Sequence, residues 1–202
     1  MKPAIIFDLG KVLVDFDYSI AARKIAARSV HAPEDLHLFL GNSPLLVEFE
    51  TGAISRLEIF EAVRAETGFR GTLEEFGSYF AEIFSEIHEM TVLHSELRQR
   101  GLKTYIFSNT NDLAIEHVRR NFPFFENFDG YIFSYEVGAM KPQPKIYEAM
   151  EKMCSRIGKD LIYIDDREEN VAAGTARGWR AIHHRTPKQT RAELVKFGVL
   201  PA

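Results

Sequence analysis

Four short apolar runs in the sequence each end at, or just before, side chains able to do chemistry. Asp8 follows Ala4–Phe7, Ser108-Asn109 follow Thr104–Phe107, and Asp165-Asp166 follow Leu161–Ile164. The remaining run, Tyr131–Phe133, ends at Ser134 and is followed by Lys141. Unbroken apolar runs of this length read as strands buried on both faces. In a parallel sheet their ends lie side by side, and ligands bind at that carboxyl edge. Carboxylates, hydroxyl, amide and ammonium are therefore expected to converge on one crevice. Clustered carboxylates repel one another unless a cation sits among them, and hard oxygen donors favour Mg²⁺. The same cation neutralises phosphate oxygens, while Ser108 and Lys141 donate to others. Helix starts near Asn111 and Arg167 add oriented backbone N–H groups. Such a set suits phosphoryl transfer, where catalysis is largely positioning and charge stabilisation.

The elements that must position these groups follow from the spacing. Helical patterns lie around Leu93–Leu102, with Gly101 as a stop, and over Leu113–Arg120 and Ile146–Met153. Val171–Ala176 offers a small-residue face suited to close packing on a sheet, and a fifth strand is expected at Arg180–His183. Strands alternating with helices imply βαβ units and a doubly wound, Rossmann-like parallel sheet, an α/β fold. The stretch from Asp17 to Met90 has no buried-strand run. It carries helical spacing at Ile20–Ile25, Leu36–Leu40, Leu57–Val63 and Phe76–Ile87, with turn signals at Gly41–Pro44 and Thr67–Thr72. This predicts a core of residues 1–16 and 91–202, with a small helical domain of residues 17–90 inserted after the first strand. Phe39, Leu46, Phe49, Phe60, Phe76, Phe80 and Phe84 are expected to fill the inserted bundle.

Composition bounds the alternatives. The chain has 202 residues, long enough for a full core without staples. With 25 basic against 29 acidic side chains, it has no electrostatic footprint for nucleic acid or an anionic membrane. No apolar run approaches a membrane span, and the four apolar residues before Asp8 are too few for a secretion signal. The single cysteine, Cys154, excludes an intramolecular disulfide and a Cys-based zinc site. The expectation is a cytoplasmic enzyme without nucleic-acid or membrane partners; oligomeric state is not encoded in these features.

The motifs, taken in order, closely resemble the haloacid dehalogenase superfamily of phosphohydrolases. They are Phe7-Asp8-Leu9-Gly10-Lys11-Val12-Leu13, Phe107-Ser108-Asn109-Thr110, Gly138–Tyr147 around Lys141-Pro142, and Ile164-Asp165-Asp166 with Asn170 and Gly178-Trp179. The helical insertion is similar to that family's small cap. The resemblance implies a Mg²⁺-dependent phosphomonoesterase acting on a small phosphorylated metabolite. Asp8 attacks phosphorus to give an aspartyl-phosphate; Ser108, Asn109 and Lys141 hold the phosphate. Asp8, Asp166 and the Gly10 carbonyl ligate Mg²⁺, and Asp165 and Asn170 support them from behind.

One position departs from the pattern. The family's phosphatases usually carry a second Asp two residues after the nucleophile, as general acid and base, and here that position is Gly10. Such help is typically worth ~10²–10⁴ in rate. Better leaving groups, a substitute group or weak hydrolysis each fit the change. A subset with Asp-Leu-Gly in the first motif and a Val-Asp segment beyond it includes glucose 1-phosphate phosphatases, which implies a sugar phosphate. Two alternatives stand beside this reading: a metal-independent 2-haloacid dehalogenase, and a catalytically weak regulator that binds phosphorylated ligands. Lys11 reads as a loop lysine, one of Asp15 and Asp17 as a helix cap, and His183-His184 as a strand end. Cys154 reads as core. Glu48, Glu50 and Thr51-Gly52 read equally as specificity groups or an ordinary helix end.

Overall fold

The computed structural model describes residues 2–30, 32 and 43–201. The four apolar runs and the expected fifth strand form one parallel sheet of β1 (Ala4–Phe7), β4 (Lys103–Ser108), β5 (Gly130–Phe133), β6 (Leu161–Asp165) and β7 (Arg180–His183). Their spatial order is β5-β4-β1-β6-β7, so β1 is central and the chain switches direction of growth beside it. Side chains alternate between two apolar clusters, as a strand's twofold period requires. Ile5, Phe7, Ile106, Ile162 and Ile164 face one cluster, whereas Ala4, Ile6, Phe107, Leu161 and Tyr163 face the other.

Helices cover both faces. Helix α5 (His88–Gln99), α6 (Asp112–Asn121) and α10 (Pro187–Lys196) supply Met90, Leu93, Ile115, Val118 and Leu194 to the first cluster. Helix α8 (Pro144–Cys154) supplies Ile146, Tyr147, Met150 and the buried Cys154 to the second. Beside it runs α9 (Glu168–Ala176), where the small-residue face does its expected job. A Cβ on Gly174 would lie 2.9 Å from Tyr163 Cδ1, so glycine lets this helix sit close against the sheet. The short helix α7 (Ser134–Val137) follows β5. The fold is the expected doubly wound α/β sheet.

Within residues 17–90 the helices begin where side chains can cap them. Asp17 accepts from the Ser19 N–H at 2.8 Å to start α1 (Tyr18–Ala26). Ser43 caps α2 (Pro44–Glu50). Reciprocal Ser55–Glu58 and Thr72–Glu75 capping boxes start α3 (Arg56–Thr67) and α4 (Leu73–Ala81), each cap worth ~1 kcal/mol. Phe49, Phe60, Phe69, Phe76 and Phe80 form a third cluster with Ala22 and Ile25, and Leu113 of α6 is embedded in it. Truncating a residue such as Phe76, fully buried among other rings, would cost ~3–5 kcal/mol.

Three expectations for this segment are corrected. Helical structure over Phe76–Ile87 stops at Ala81, and Phe84–Glu86 is a strand, β3, antiparallel to β2 (Val14–Phe16). The physical reason is backbone pairing: Asp17 N–H donates to Ile83 O at 3.1 Å, and Ile87 N–H to Leu13 O at 2.9 Å. Phe84 accordingly packs against the first sheet cluster rather than the bundle. Leu46 lines a cavity instead of filling a core. The spacing at Leu36–Leu40, Phe39 within it and Gly41-Asn42 lie outside the described residues.

Candidate active site

Register decides what meets at the carboxyl edge. Phe7 pairs with Ile106 on one side and Ile164 on the other, so one residue further Asp8 stands between the ends of β4 and β6. Its N–H donates to Ile164 O at 2.9 Å. Ligand atoms of Asp8, Asp165 and Asp166 lie within 4.8 Å of one another. Lys141 reaches in from the loop before α8. Its Nζ donates to Phe107 O at 2.8 Å and to Asp165 Oδ2 at 2.7 Å, and lies 3.0 Å from Asp8 Oδ1. The ammonium is buried, and its three protons are all engaged.

The two adjacent aspartates have different surroundings. Asp165 is fully buried and saturated. It accepts from Lys141, from the Tyr163 hydroxyl, from Asn170 Nδ2 at 3.1 and 3.3 Å, and from the Arg167 N–H at 2.8 Å. A carboxylate has about four acceptor positions, so Asp165 has nothing left for a ligand. Asp166 is half-buried, and its side chain faces a cavity of about 690 Å³ that Asp8 and Gly10 also line. The His183 Nε2–H donates to Asp166 O at 2.9 Å and fixes that backbone. Asp8 Oδ1 accepts from the Leu9 N–H at 2.7 Å. Among the described residues, Asp8 Oδ2 and the Gly10 carbonyl accept no hydrogen bond.

Charge explains the need for a cation. Burial pushes the Asp8 carboxyl well above the ordinary range; Lys141 opposes this, and Asp165 and Asp166 reinforce it. Burial also raises Asp166, with Asp165 adding to the effect. Lys141 outweighs burial at Asp165 and holds it low, and Asp165 and Asp8 in turn hold the Lys141 ammonium high. One buried ammonium thus serves two carboxylates, with a third beside them. The free donors are all oxygen, from Asp8, Asp166 and Gly10, which fits a hard divalent cation such as Mg²⁺.

Other expected site residues are placed as follows. Asn109 clamps Lys141: its Nδ2 donates to Lys141 O at 3.0 Å, and its Oδ1 accepts from Lys141 N–H at 2.7 Å. Ser108 is buried at the end of β4, where its hydroxyl donates to Asn109 O at 3.2 Å, and it does not line the cavity. Lys11 pairs with Asp15 and donates to Phe16 O at 2.9 Å. Asn111 caps α6 by accepting from Ala114 N–H at 3.0 Å.

Sequence reading missed Tyr163, although it precedes Asp165 by two positions and strand alternation puts both on one face. It missed the cavity wall of Phe16, Tyr18 and Arg167 too. The first two sit beyond a turn whose path the sequence does not reveal.

The chain belongs to the haloacid dehalogenase-like hydrolases, whose family model matches residues 2–178. It is 25% identical over 199 residues to a D-ribitol-5-phosphate phosphatase of Bacteroides thetaiotaomicron, covering 94% of this chain and 95% of that one. It is 27% identical over 194 residues to a sesquiterpene phosphatase of Aspergillus oryzae, covering 95% and 94%. A solved family enzyme from Bacteroides thetaiotaomicron, in complex with magnesium and inorganic phosphate, superposes with a TM-score of 0.80. That structure is 22% identical, with 92% of this chain and 95% of that one covered. No helix among the described residues is long and apolar enough to cross a membrane.

Proposed function

We propose that the protein is a Mg²⁺-dependent phosphomonoesterase acting on a small phosphorylated metabolite. The observation that carries this reading is the group of three carboxylates, two of them buried, and one buried lysine at the carboxyl edge of β1 and β6, opening on a cavity of about 690 Å³. The similarity to a ribitol-phosphate phosphatase supports a phosphorylated polyol or sugar as substrate. Residues 17–90 act as the cap over this site, since α2 supplies one wall of the cavity.

Asp8 is the nucleophile. One of its carboxylate oxygens attacks phosphorus, while the Leu9 N–H and Lys141 bond to Oδ1 and fix the carboxylate plane. Lys141 offsets repulsion between Asp8 and an anionic substrate. Asn109 keeps the Lys141 backbone in place, and Ser108 in turn bonds to the Asn109 carbonyl. Asp8, Asp166 and the Gly10 carbonyl hold Mg²⁺, which when bound neutralises phosphate charge. Asp165, Asn170 and Tyr163 tie Lys141 and the loop after β6 together. Carbon–halogen hydrolysis fits poorly, because Asp166 beside Asp8 would repel a haloacid.

The test is turnover across a panel of p-nitrophenyl phosphate, sugar phosphates, polyol phosphates and nucleotides. Wild-type protein with Mg²⁺ is expected to release phosphate, and both EDTA and Asp8→Asn are expected to abolish it. Unchanged turnover in Asp8→Asn would overturn the mechanism.

A further inference from the structure

Protonation of the leaving group is unassigned by the site described so far. Asp165 and Lys141 have no free hydrogen-bonding positions, and Gly10 offers no side chain. A side chain there would also crowd a neighbour: a Cβ at Gly10 would lie 2.9 Å from Phe16 Cε1, so the ring would have to shift. The titratable and charged groups facing the cavity are Asp8 and Lys11 after β1, Tyr18 on α1, Glu48 and Glu50 on α2, Lys141 before α8, and Asp166 and Arg167 after β6. Asp8, Lys141 and Asp166 already have roles. Lys11 is committed to Asp15 and the Phe16 carbonyl. Burial, with Glu50 nearby, keeps the Tyr18 phenol far above its ordinary range. Arg167 pairs with Glu169 at 2.6 Å, and Glu48 is exposed.

Glu50 remains. It is half-buried on the cavity wall and, among the described residues, makes no hydrogen bond or ion pair. Its position is built in by the residue two places on. Gly52 has φ 70°, and a Cβ there would lie 2.3 Å from the Tyr135 carbonyl oxygen. Glycine thus lets the end of α2 press directly on α7, which holds Glu50 over the cavity. Burial raises the Glu50 carboxyl to about 7, against the pull of Arg167, so both of its protonation states are available near neutrality.

We propose that Glu50, reaching across from α2, is the general acid and base of the hydrolysis, in the place left empty at Gly10. The assignment rests on the phosphomonoesterase reading above. In the first step a carboxylate oxygen of Asp8 bonds to phosphorus and the bond from phosphorus to the leaving oxygen breaks. The electron pair stays on that oxygen, which takes the Glu50 proton and departs as the alcohol. In the second step the Glu50 carboxylate takes a proton from water as its oxygen bonds to phosphorus. The bond from phosphorus to Asp8 breaks, inorganic phosphate leaves, and Glu50 is again the acid.

Glu50→Gln, with Glu50→Asp beside it, tests this in burst and steady-state kinetics with Mg²⁺. The substrates are p-nitrophenyl phosphate, whose leaving group needs no proton, and the sugar phosphate turned over fastest in the panel. In Glu50→Gln, p-nitrophenol is expected as a burst at the wild-type rate, stoichiometric with enzyme, before a steady state slowed ~10²–10⁴-fold. Release of the sugar should lose its burst altogether, and Glu50→Asp should recover at least tenfold over Glu50→Gln. Wild-type steady-state rates on both substrates, or equal losses of burst and steady state, would overturn the assignment of Glu50 alone. Wild-type protein inactive on the entire panel would overturn the phosphatase reading and this one with it.

Discussion

Placing a side chain at Gly10 is the sharpest probe of why this chain lacks the usual second aspartate. Gly10 has no left-handed φ, so backbone strain does not enter, and only space decides. A Cβ 2.9 Å from Phe16 Cε1 is well inside the ~3.5–4.0 Å of a relaxed carbon contact, so the ring must move by roughly 0.6–1 Å. Moving it disturbs its neighbours. Phe16 makes edge contacts with Tyr18 at 5.4 Å and Phe84 at 6.1 Å, and Lys11 Nζ lies 4.5 Å from its centroid. Such overpacking costs ~1–3 kcal/mol, or ~2–4 °C in Tm per kcal/mol in a chain of this size. Gly10→Ala isolates the steric effect from added charge, and thermal melts in EDTA remove any contribution from metal binding. Gly10→Ala should lower Tm by ~2–12 °C in the wild-type background and by under ~2 °C in a Phe16→Leu background. The double-mutant cycle thus shows ~1 kcal/mol or more of coupling. Equal losses in the two backgrounds, or none in either, would refute the steric argument. If Phe16 is what excludes the acid, Gly10→Asp combined with Phe16→Leu should also restore sugar-phosphate hydrolysis to Glu50→Gln.

Two further outcomes follow from the same packing. Lys141→Met leaves Asp8 and Asp165 buried without their ammonium, a loss of ~3–5 kcal/mol. Its Tm in EDTA should fall by roughly 10 °C, with phosphatase activity lost; a shift under ~2 °C would contradict the pairing. Glu50 gives stability a pH dependence. Because its folded pKa is raised, its contribution to stability is complete below the ordinary carboxylate range and is lost as pH rises through about 7. Glu50→Gln should therefore match wild type near pH 4 and exceed it above pH 8, by ~1–2 kcal/mol after discounting for solvent at the cavity mouth. A Tm difference independent of pH would exclude this.

Legibility in the sequence tracked burial. β1, β4 and β6 announced themselves because both of their faces are covered, leaving no polar residue to interrupt the run. Helix starts were readable where Asp17 or Asn111 caps a turn, since a cap is a local device. β2 and β3 were not readable: three residues each, partly exposed, they are strands only because they pair with one another. The family resemblance implies different roles for Asp165 and Asp166, and the two meet different numbers of hydrogen-bond donors, which no sequence pattern reveals. Phe16 against Gly10 left no trace in the sequence, because that contact depends on how the turn after β1 folds back. Glu50 reads from the sequence equally as a specificity group or a helix end, because only the fold places it on the cavity wall.

Leu113 lies on the helix that begins beside the phosphate end of the site, yet it packs among the rings of residues 17–90. A Cβ on Gly77 would come 3.3 Å from its Cδ2, and Arg56 bonds Asp112 at 2.7 Å in the next position. For protein engineering this means the inserted helices are not an interchangeable cassette. A graft from a relative chosen for a new substrate must bring a small residue opposite Leu113 and a cation opposite Asp112, or it will leave a greasy side chain and a carboxylate stranded at the seam.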